Sequence, residues 1–484
     1  MPKMNHTVWL YWEGPMPPYI RLCLDLLQAY NPNARMLGPE DLPGLGFPSE
    51  VLEAIREWHI CQRSDAIRVF LLANHGGVWC DADCIPLKPF DLLARAAETS
   101  PAGLVTYHST DSTFGLGLLA ARPGAEPIAQ LWQHIYRIMS DQRVPAWLEV
   151  SSQPLTEIIK KTGHAGVVVL PFDHVCPISW RDQHVLSTKA PEHEHAARLA
   201  ARPNIWTCML SHQELSKDST GDHILNLSRH ELLTSDRLLS YLFRASIRRL
   251  HESVRPSGRA VVTLNLYGDG MPQNFRESQR AAAQRWGAEY VEITRPLFGW
   301  REPYWEKLNL DQHTAAYERV VFFDRDVVVR DDCPNLFELV HEEAVGAVSS
   351  EQEGHNLLHH IVPKMQPLCE TLGVPLDFTR EYLNSGVLVF SPHRHRQVFE
   401  AARLVWALTG DHRSWEIGDQ GPISLACRWT GTPLYLLPCE FNRCGSRLWD
   451  CWTPRMDAYI WHFCGPKDWT GMAKTDWRSC PDQT

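Results

Sequence analysis

The sequence predicts an α/β protein made of two domains in tandem, and three observations carry that expectation. Apolar stretches of strand length alternate with segments of helical periodicity, the pattern of a largely parallel sheet covered by helices. The alternation fades over residues 213–235 and restarts at Arg259. Twice, at Val78-Trp79-Cys80 and at Val320-Val321-Phe322-Phe323, an apolar strand runs into two carboxylates spaced one residue apart, Asp81 with Asp83 and Asp324 with Asp326. A length of 484 residues exceeds one ordinary core and fits two such units. The expected division is a first domain over 1–235, an interdomain helix and linker over 236–258, and a second domain over 259–484.

Composition narrows the partners. With 44% apolar and 21% charged residues the chain is of the soluble globular type. A formal charge of -10 argues against a broad phosphate-tracking surface, so nucleic acid enters only as an acceptor in an enclosed site. No charged segment followed by an apolar run opens the chain, and no run of about 18 apolar residues occurs, so a cytoplasmic protein without membrane spans is expected. In that compartment the 14 cysteines are free thiols. Cys439, Cys444, Cys451 and Cys464 cluster, but without the paired C-x2-C spacing of a structural zinc knuckle.

Taken in order, the chain opens on an apolar strand, Val8 to Trp12, stopped by Gly14 and Pro15; a helix from Tyr19 to Tyr30 ends at the turn Asn31-Pro32-Asn33. The stretch from Ser64 to Asp83 runs a helix into Gly76-Gly77 and then the strand that carries the first acidic pair. Asp65 and Arg68, three apart, share one face of that helix, and Ile67, Leu71 and Leu72 form its buried side. Side chains at i and i+2 of an extended segment point to the same side, so Asp81 and Asp83 converge on one hard cation, Mg²⁺ or Mn²⁺. Strands are expected at Leu104 to Tyr107, Leu116 to Ala121 and Gly166 to Leu170, with a helix over Ala125 to Ser140. Asp236 to Glu252 is a basic amphipathic helix bearing Arg237, Arg244, Arg248 and Arg249; it reads as an interdomain helix, with peripheral membrane contact as the alternative. The second half brings strands at Ala260 to Leu266, Glu289 to Ile293, Arg319 to Phe323 and Leu383 to Ser391, and helices at Asn274 to Trp286, Trp305 to Tyr317 and Gln397 to Leu408.

Two families enter on these residues. The first half resembles glycosyltransferase family 32, the DXD sugar-binding-region proteins related to clostridial glucosylating toxins. Met1-Pro2-Lys3-Met4-Asn5-His6-Thr7-Val8-Trp9 matches the family's opening, and Ser64, Asp65, Arg68, Gly76, Gly77, Asp81 and Asp83 match its core without a gap. The second half is similar to glycosyltransferase family 8, which includes glycogenin and lipopolysaccharide galactosyltransferases. The likeness rests on Lys307, Asp324, Asp326, Asn384-Ser385-Gly386, Asp419-Gln420, Asn442 and His462, and it departs at Gly465-Pro466-Lys467-Asp468-Trp469, one residue shorter than the family's closing motif.

Together the resemblances imply two GT-A domains, the Rossmann-like fold of nucleotide-diphospho-sugar transferases. In the first half they imply that Trp9 stacks on the base, that Asp65 and Arg68 hold the donor sugar, and that Asp81 and Asp83 bind ribose and metal, with His212 as a further ligand candidate. In the second they imply a metal at Asp324, Asp326 and His462, donor contacts from Lys307, Asn384, Gly386, Asn442 and Lys467, and Asp419 and Gln420 at the anomeric carbon. The function implied is a bifunctional, retaining, metal-dependent hexosyltransferase that moves sugars from UDP-sugars to a glycan or glycoconjugate. A modified DNA base or a protein is the alternative acceptor, and one non-catalytic half is the alternative organisation.

Overall fold

The computed structural model describes residues 6–109, 112–161, 166–188, 202, 204–215, 224–251, 257–266, 270–297, 302–350, 358–409, 418–444 and 458–463. The chain divides into two compact units, one of residues 1–252 with 370–373 and one of residues 253–369 with 374–484.

In the first unit β1 (Val8–Tyr11) lies parallel between β2 (Ala34–Leu37) and β3 (Gly77–Cys80). Strand β6 (Phe114–Ala121) runs antiparallel to β3 and to β5 (Leu104–His108), and β7 (Val168–Leu170) closes the far edge parallel to β5. The order is therefore β2-β1-β3-β6-β5-β7. All eight residues of β6 are buried, as expected of a central strand covered on both faces. A short strand, β4 (Cys84–Pro86), leaves the main sheet and pairs antiparallel with β8 (Thr207–Met209).

The helix Ile60–His75 positions the first acidic pair. His59 caps its start by accepting from the Cys61 amide, and Gln62 returns the bond by accepting from the His59 amide at 3.1 Å. It buries Ala66, Ile67, Val69, Phe70, Leu71 and Leu72 and stops at Gly76. Gly77 adopts φ +98°, and a Cβ there would run into the carbonyl of Thr7, so only glycine turns the helix directly into β3.

The second unit repeats this plan. Strand β9 (Arg259–Leu264) lies parallel between β10 (Glu289–Ile293) and β11 (Arg319–Phe323). Strand β14 (Leu383–Phe390) is antiparallel to β11 and to β13 (Val345–Ser349), which pairs parallel with β15 (Leu434–Leu436). The order β10-β9-β11-β14-β13-β15 reproduces that of the first sheet strand for strand. Beside it, β12 (Val327–Val329), β17 (Ile460–His462) and β16 (Arg443–Cys444) form a three-stranded sheet.

Two segments differ from the sequence expectation. Trp305 to Tyr317 is not one helix but a 3-10 segment, Pro303–Asn309, followed by a single α-turn, Leu310–His313. The Leu308 carbonyl, which a continuing helix would bond internally, instead accepts from Arg403 Nη1 at 2.6 Å. The basic helix, Leu238–His251, packs within the first unit: the Tyr30 hydroxyl donates to its Ser246 carbonyl, Arg244 donates to the carbonyls of Leu233 and Ser235, and Arg249 to that of Leu87. Among the described residues no helix is long and apolar enough to cross a membrane.

Candidate active site

Each acidic pair sits on a tight turn rather than on an extended segment, because after β3 and β11 the chain must leave the main sheet to enter the short side sheets. In the second unit the Val327 amide closes that turn on the Asp324 carbonyl at 3.1 Å. Position is fixed from the main sheet as well: the Asp324 amide donates to the Gly386 carbonyl at 2.9 Å, and the Asp81 amide to the Gly117 carbonyl at 2.8 Å. Both pairs thus lie at the carboxyl ends of parallel strands, beside the point where the strand direction reverses, which is where open α/β sheets form ligand crevices.

In the second unit the turn and β17 bring Asp324, Asp326 and His462 together. His462 Nε2 stands 3.6 Å from Asp324 and 3.5 Å from Asp326, and the three residues offer ligand atoms within 4.8 Å of one another. Two carboxylate oxygens and an imidazole nitrogen suit a Mg²⁺- or Mn²⁺-type ion. The ring is oriented from behind, where Nδ1 lies 3.0 Å from Asn442 Oδ1; an Nδ1 proton donated there leaves Nε2 as the free lone pair on the acidic side. Gly386 makes the room, since a Cβ there would strike His462 Cε1 and stand 2.5 Å from Nδ1.

Lys307 faces the same carboxylates. Its ammonium donates to Asp324 at 2.8 Å and to the Ser385 hydroxyl at 3.2 Å, and lies 3.3 Å from Asp419. Burial works against its charge, but Asp324 and Asp419 hold its pKa above the usual lysine value. Burial raises Asp324, with Lys307 opposing. Ser385 donates to Asp419, the residue that precedes the helix Gln420–Thr430, and Gln420 accepts from the Ser350 hydroxyl at 3.5 Å.

In the first unit a cleft of about 450 Å³ opens in front of the pair, lined among others by Tyr11, Trp12, Ser64, Arg68, Asp83 and His212. Arg68 lies 3.0 Å from Asp81 and 3.4 Å from Asp65, and Asp81 also accepts from the Trp79 indole at 2.8 Å. Burial pushes Asp65 and Asp83 up to about 7; for Asp65 the Arg68 charge opposes the rise, while for Asp83 the neighbouring Asp81 adds to it and the His212 amide, 2.9 Å from Asp83, opposes it. The His212 ring is held by the Tyr19 hydroxyl at 2.5 Å and by the edge of Trp12, and burial lowers its pKa.

Three implied donor residues do not face these sites. Trp9 is 4% exposed, with its indole donating to the Gly76 carbonyl at 2.7 Å; it lies mid-strand in the core, and the aromatic wall of the cleft is built by Tyr11 and Trp12 at the carboxyl end of β1. Asn442 is fully buried behind His462, so it positions the imidazole rather than touching a nucleotide. Asn384 turns inward, accepting from the Gly386 amide at 2.8 Å and donating to Cys444 at 3.4 Å. Lys467, with the whole closing motif from Gly465 to Trp469, lies outside the described residues. Trp79 joins the first site unannounced by the sequence, whereas Ser385 stands in the second as the middle residue of the Asn384-Ser385-Gly386 segment already singled out.

The role of Asn442 is measurable. Asn442→Ala is expected to weaken Mn²⁺ binding by the full chain about 10–100-fold, as loss of a partner that orients a ligating imidazole does. Titration calorimetry reads it; an unchanged affinity would show that the ring needs no such support.

Residues 304–473 match the model for glycosyl transferase family 8, and residues 40–99 match that for the glycosyltransferase sugar-binding region containing the DXD motif. No curated protein matches the chain. Among solved structures, a glycosyltransferase involved in glycosylation of the major capsid of PBCV-1 is 11% identical over 45% of this chain and 98% of its own, with a TM-score of 0.31. The galactosyltransferase LgtC, in complex with donor and acceptor sugar analogues, is 16% identical over 44% of this chain and 95% of its own, with a TM-score of 0.28. The bifunctional glycosyltransferase WbbM is 14% identical over 88% of this chain and 71% of its own, with a TM-score of 0.30. Carrying a family 8 region in its second unit and a DXD sugar-binding region in its first, the chain is a glycosyltransferase.

Proposed function

We propose that the chain is a bifunctional, retaining glycosyltransferase of two GT-A domains, each transferring a hexose from a UDP-sugar, in sequence, to a glycan or glycoconjugate. The observation that carries this reading is the assembly of Asp324, Asp326 and His462 at the end of β11, matched in the first unit by Asp81 and Asp83 at the end of β3. A divalent ion bound by the trio supplies neutralisation of the charge that develops on the leaving diphosphate. Lys307 contributes a second, fixed positive charge beside it, and Arg68 does the same in the first unit. Asp419 and Gln420, at the start of their helix, orient the donor sugar for attack from the face that the diphosphate leaves, which retains the anomeric configuration. Eleven described cysteines are free thiols, which supports work in a reducing, cytoplasmic setting.

Incubating the full chain with a panel of UDP-sugars, Mn²⁺ and candidate acceptors, and following UDP release and product mass, tests this reading. Asp81→Asn with Asp83→Asn is expected to remove one transfer, and Asp324→Asn with Asp326→Asn the other, each by about 10²–10³-fold or more. Product unaffected by both double substitutions would refute catalysis by the acidic pairs; product sensitive to one alone would assign the other unit to binding.

A further inference from the structure

We propose that the two acidic pairs are unequal cation sites: in the nucleotide-free chain the second unit holds one Mn²⁺- or Mg²⁺-type ion, and the first holds none of comparable affinity, because Met209 stands where His462 completes the trio. This rests on the reading of Asp324, Asp326 and His462 as a metal site.

The correspondence is set by register. In the first unit Cys84, the residue after Asp83, pairs with Met209; in the second Val327, the residue after Asp326, pairs with His462. The flanking hydrogen bonds repeat: the Leu210 amide donates to the Asp83 carbonyl at 2.8 Å and the Phe463 amide to the Asp326 carbonyl at 2.9 Å. Each side chain also fills the space over an equivalent glycine. A Cβ on Gly117 would strike Met209 Cε and stand 2.9 Å from its sulfur, as one on Gly386 would strike His462. Four positions thus match in turn: Asp81 with Asp324, Asp83 with Asp326, Gly117 with Gly386, and Met209 with His462.

Chemistry at the fourth position is what differs. A thioether is a soft, neutral donor that hard divalent ions pass over in favour of oxygen and imidazole nitrogen. The Met209 sulfur is further engaged by the Tyr107 hydroxyl and the Cys176 thiol, each at 3.8 Å. Asp81 Oδ1 already accepts from Arg68 and Trp79. The imidazole of His212 does not substitute, since its backbone amide, not its ring, meets Asp83, and the ring is held by Tyr19. Among the described residues, Asp324, Asp326 and His462 are the trio of His, Cys, Asp or Glu whose ligand atoms lie within 4.8 Å of one another. An ion at the first pair therefore arrives together with a diphosphate, whose oxygens supply the missing ligands.

Counting bound Mn²⁺ on the full chain without nucleotide, from the loss of the free-ion electron paramagnetic resonance signal, tests the inference. One ion per chain is expected, binding at least about 100-fold more tightly than any second, since a direct ligand matters no less than its outer-shell partner. Asp81→Asn with Asp83→Asn should leave that ion in place, and His462→Met should abolish it. Met209→His should create a second; should that variant not fold, His462→Met still makes the reciprocal exchange. Two ions of like affinity in the unaltered chain, or loss of the tight ion on changing Asp81 and Asp83, would overturn the inference and leave the metal reading of the second unit standing. No bound ion at all would remove both.

Discussion

Replacing Lys307 with Met is expected to lower transfer by the second unit about 10²–10³-fold, the scale of losing one preorganised charge aimed at a developing anion. Lys307 is 5% exposed, and its ammonium stands within 3.3 Å of Asp324, Asp419 and Ser385. Its removal leaves Asp324, whose pKa burial already raises, without its fixed counter-charge, so a bound cation becomes the partner that offsets that charge. Lys307→Arg is expected not to restore activity, because a rigid planar fork does not reproduce a point charge shared among three acceptors. UDP release at saturating donor measures the loss, and thermal melting with added Mn²⁺ reports on the site independently: the ion should stabilise the Met variant more than the unaltered protein. Full activity in Lys307→Met would show that its charge serves folding alone.

The second large effect is on stability. Arg403→Met is expected to destabilise the chain by about 3–5 kcal/mol, the penalty of stranding one member of a buried ion pair. Arg403 is 2% exposed; it donates to Asp311 at 2.7 and 3.2 Å and to the Leu308 carbonyl at 2.6 Å. Removing both charges together, as Arg403→Met with Asp311→Leu, should recover much of the loss, since two apolar groups leave nothing unpaired. Urea denaturation followed by tryptophan fluorescence compares the two. Leu308 adjoins Lys307, so the single variant should also lose activity before it loses fold. A double variant no more stable than the single one would mean that packing, not charge, sets the effect.

The same interaction shows where sequence was readable and where it was not. Strands Glu289–Ile293 and Arg319–Phe323 fall where their apolar runs place them, and the α/β class follows from the spacing of such runs. The break at Leu308 depended on an arginine 95 residues further along, which no local pattern reveals. Pairs of three-residue strands such as β4 with β8 are invisible for the same reason, since their order comes from partners over a hundred residues apart. At the candidate sites the carboxylate pairs were legible because the same pattern, an apolar strand running into two carboxylates one residue apart, occurs twice in one chain, the first time behind a helix that carries Asp65 and Arg68 on one face. The facing of Trp9 was not, because which tryptophan reaches the cleft depends on how far along β1 it stands, and the place of Asn442 required the ring of His462 in front of it.

Both sheets end in narrow rims. Strand β2 has four residues, β7 three, β10 five and β15 three, and exposed Arg35 and Glu289 lie on two of them. A foreign chain therefore finds little flat backbone to extend, which, among the described residues, guards the four margins of the two six-stranded sheets against self-association. Loss of the rims through partial unfolding would uncover the eight-residue centres, Phe114–Ala121 and Leu383–Phe390, and from these uncharged segments insoluble assemblies would grow.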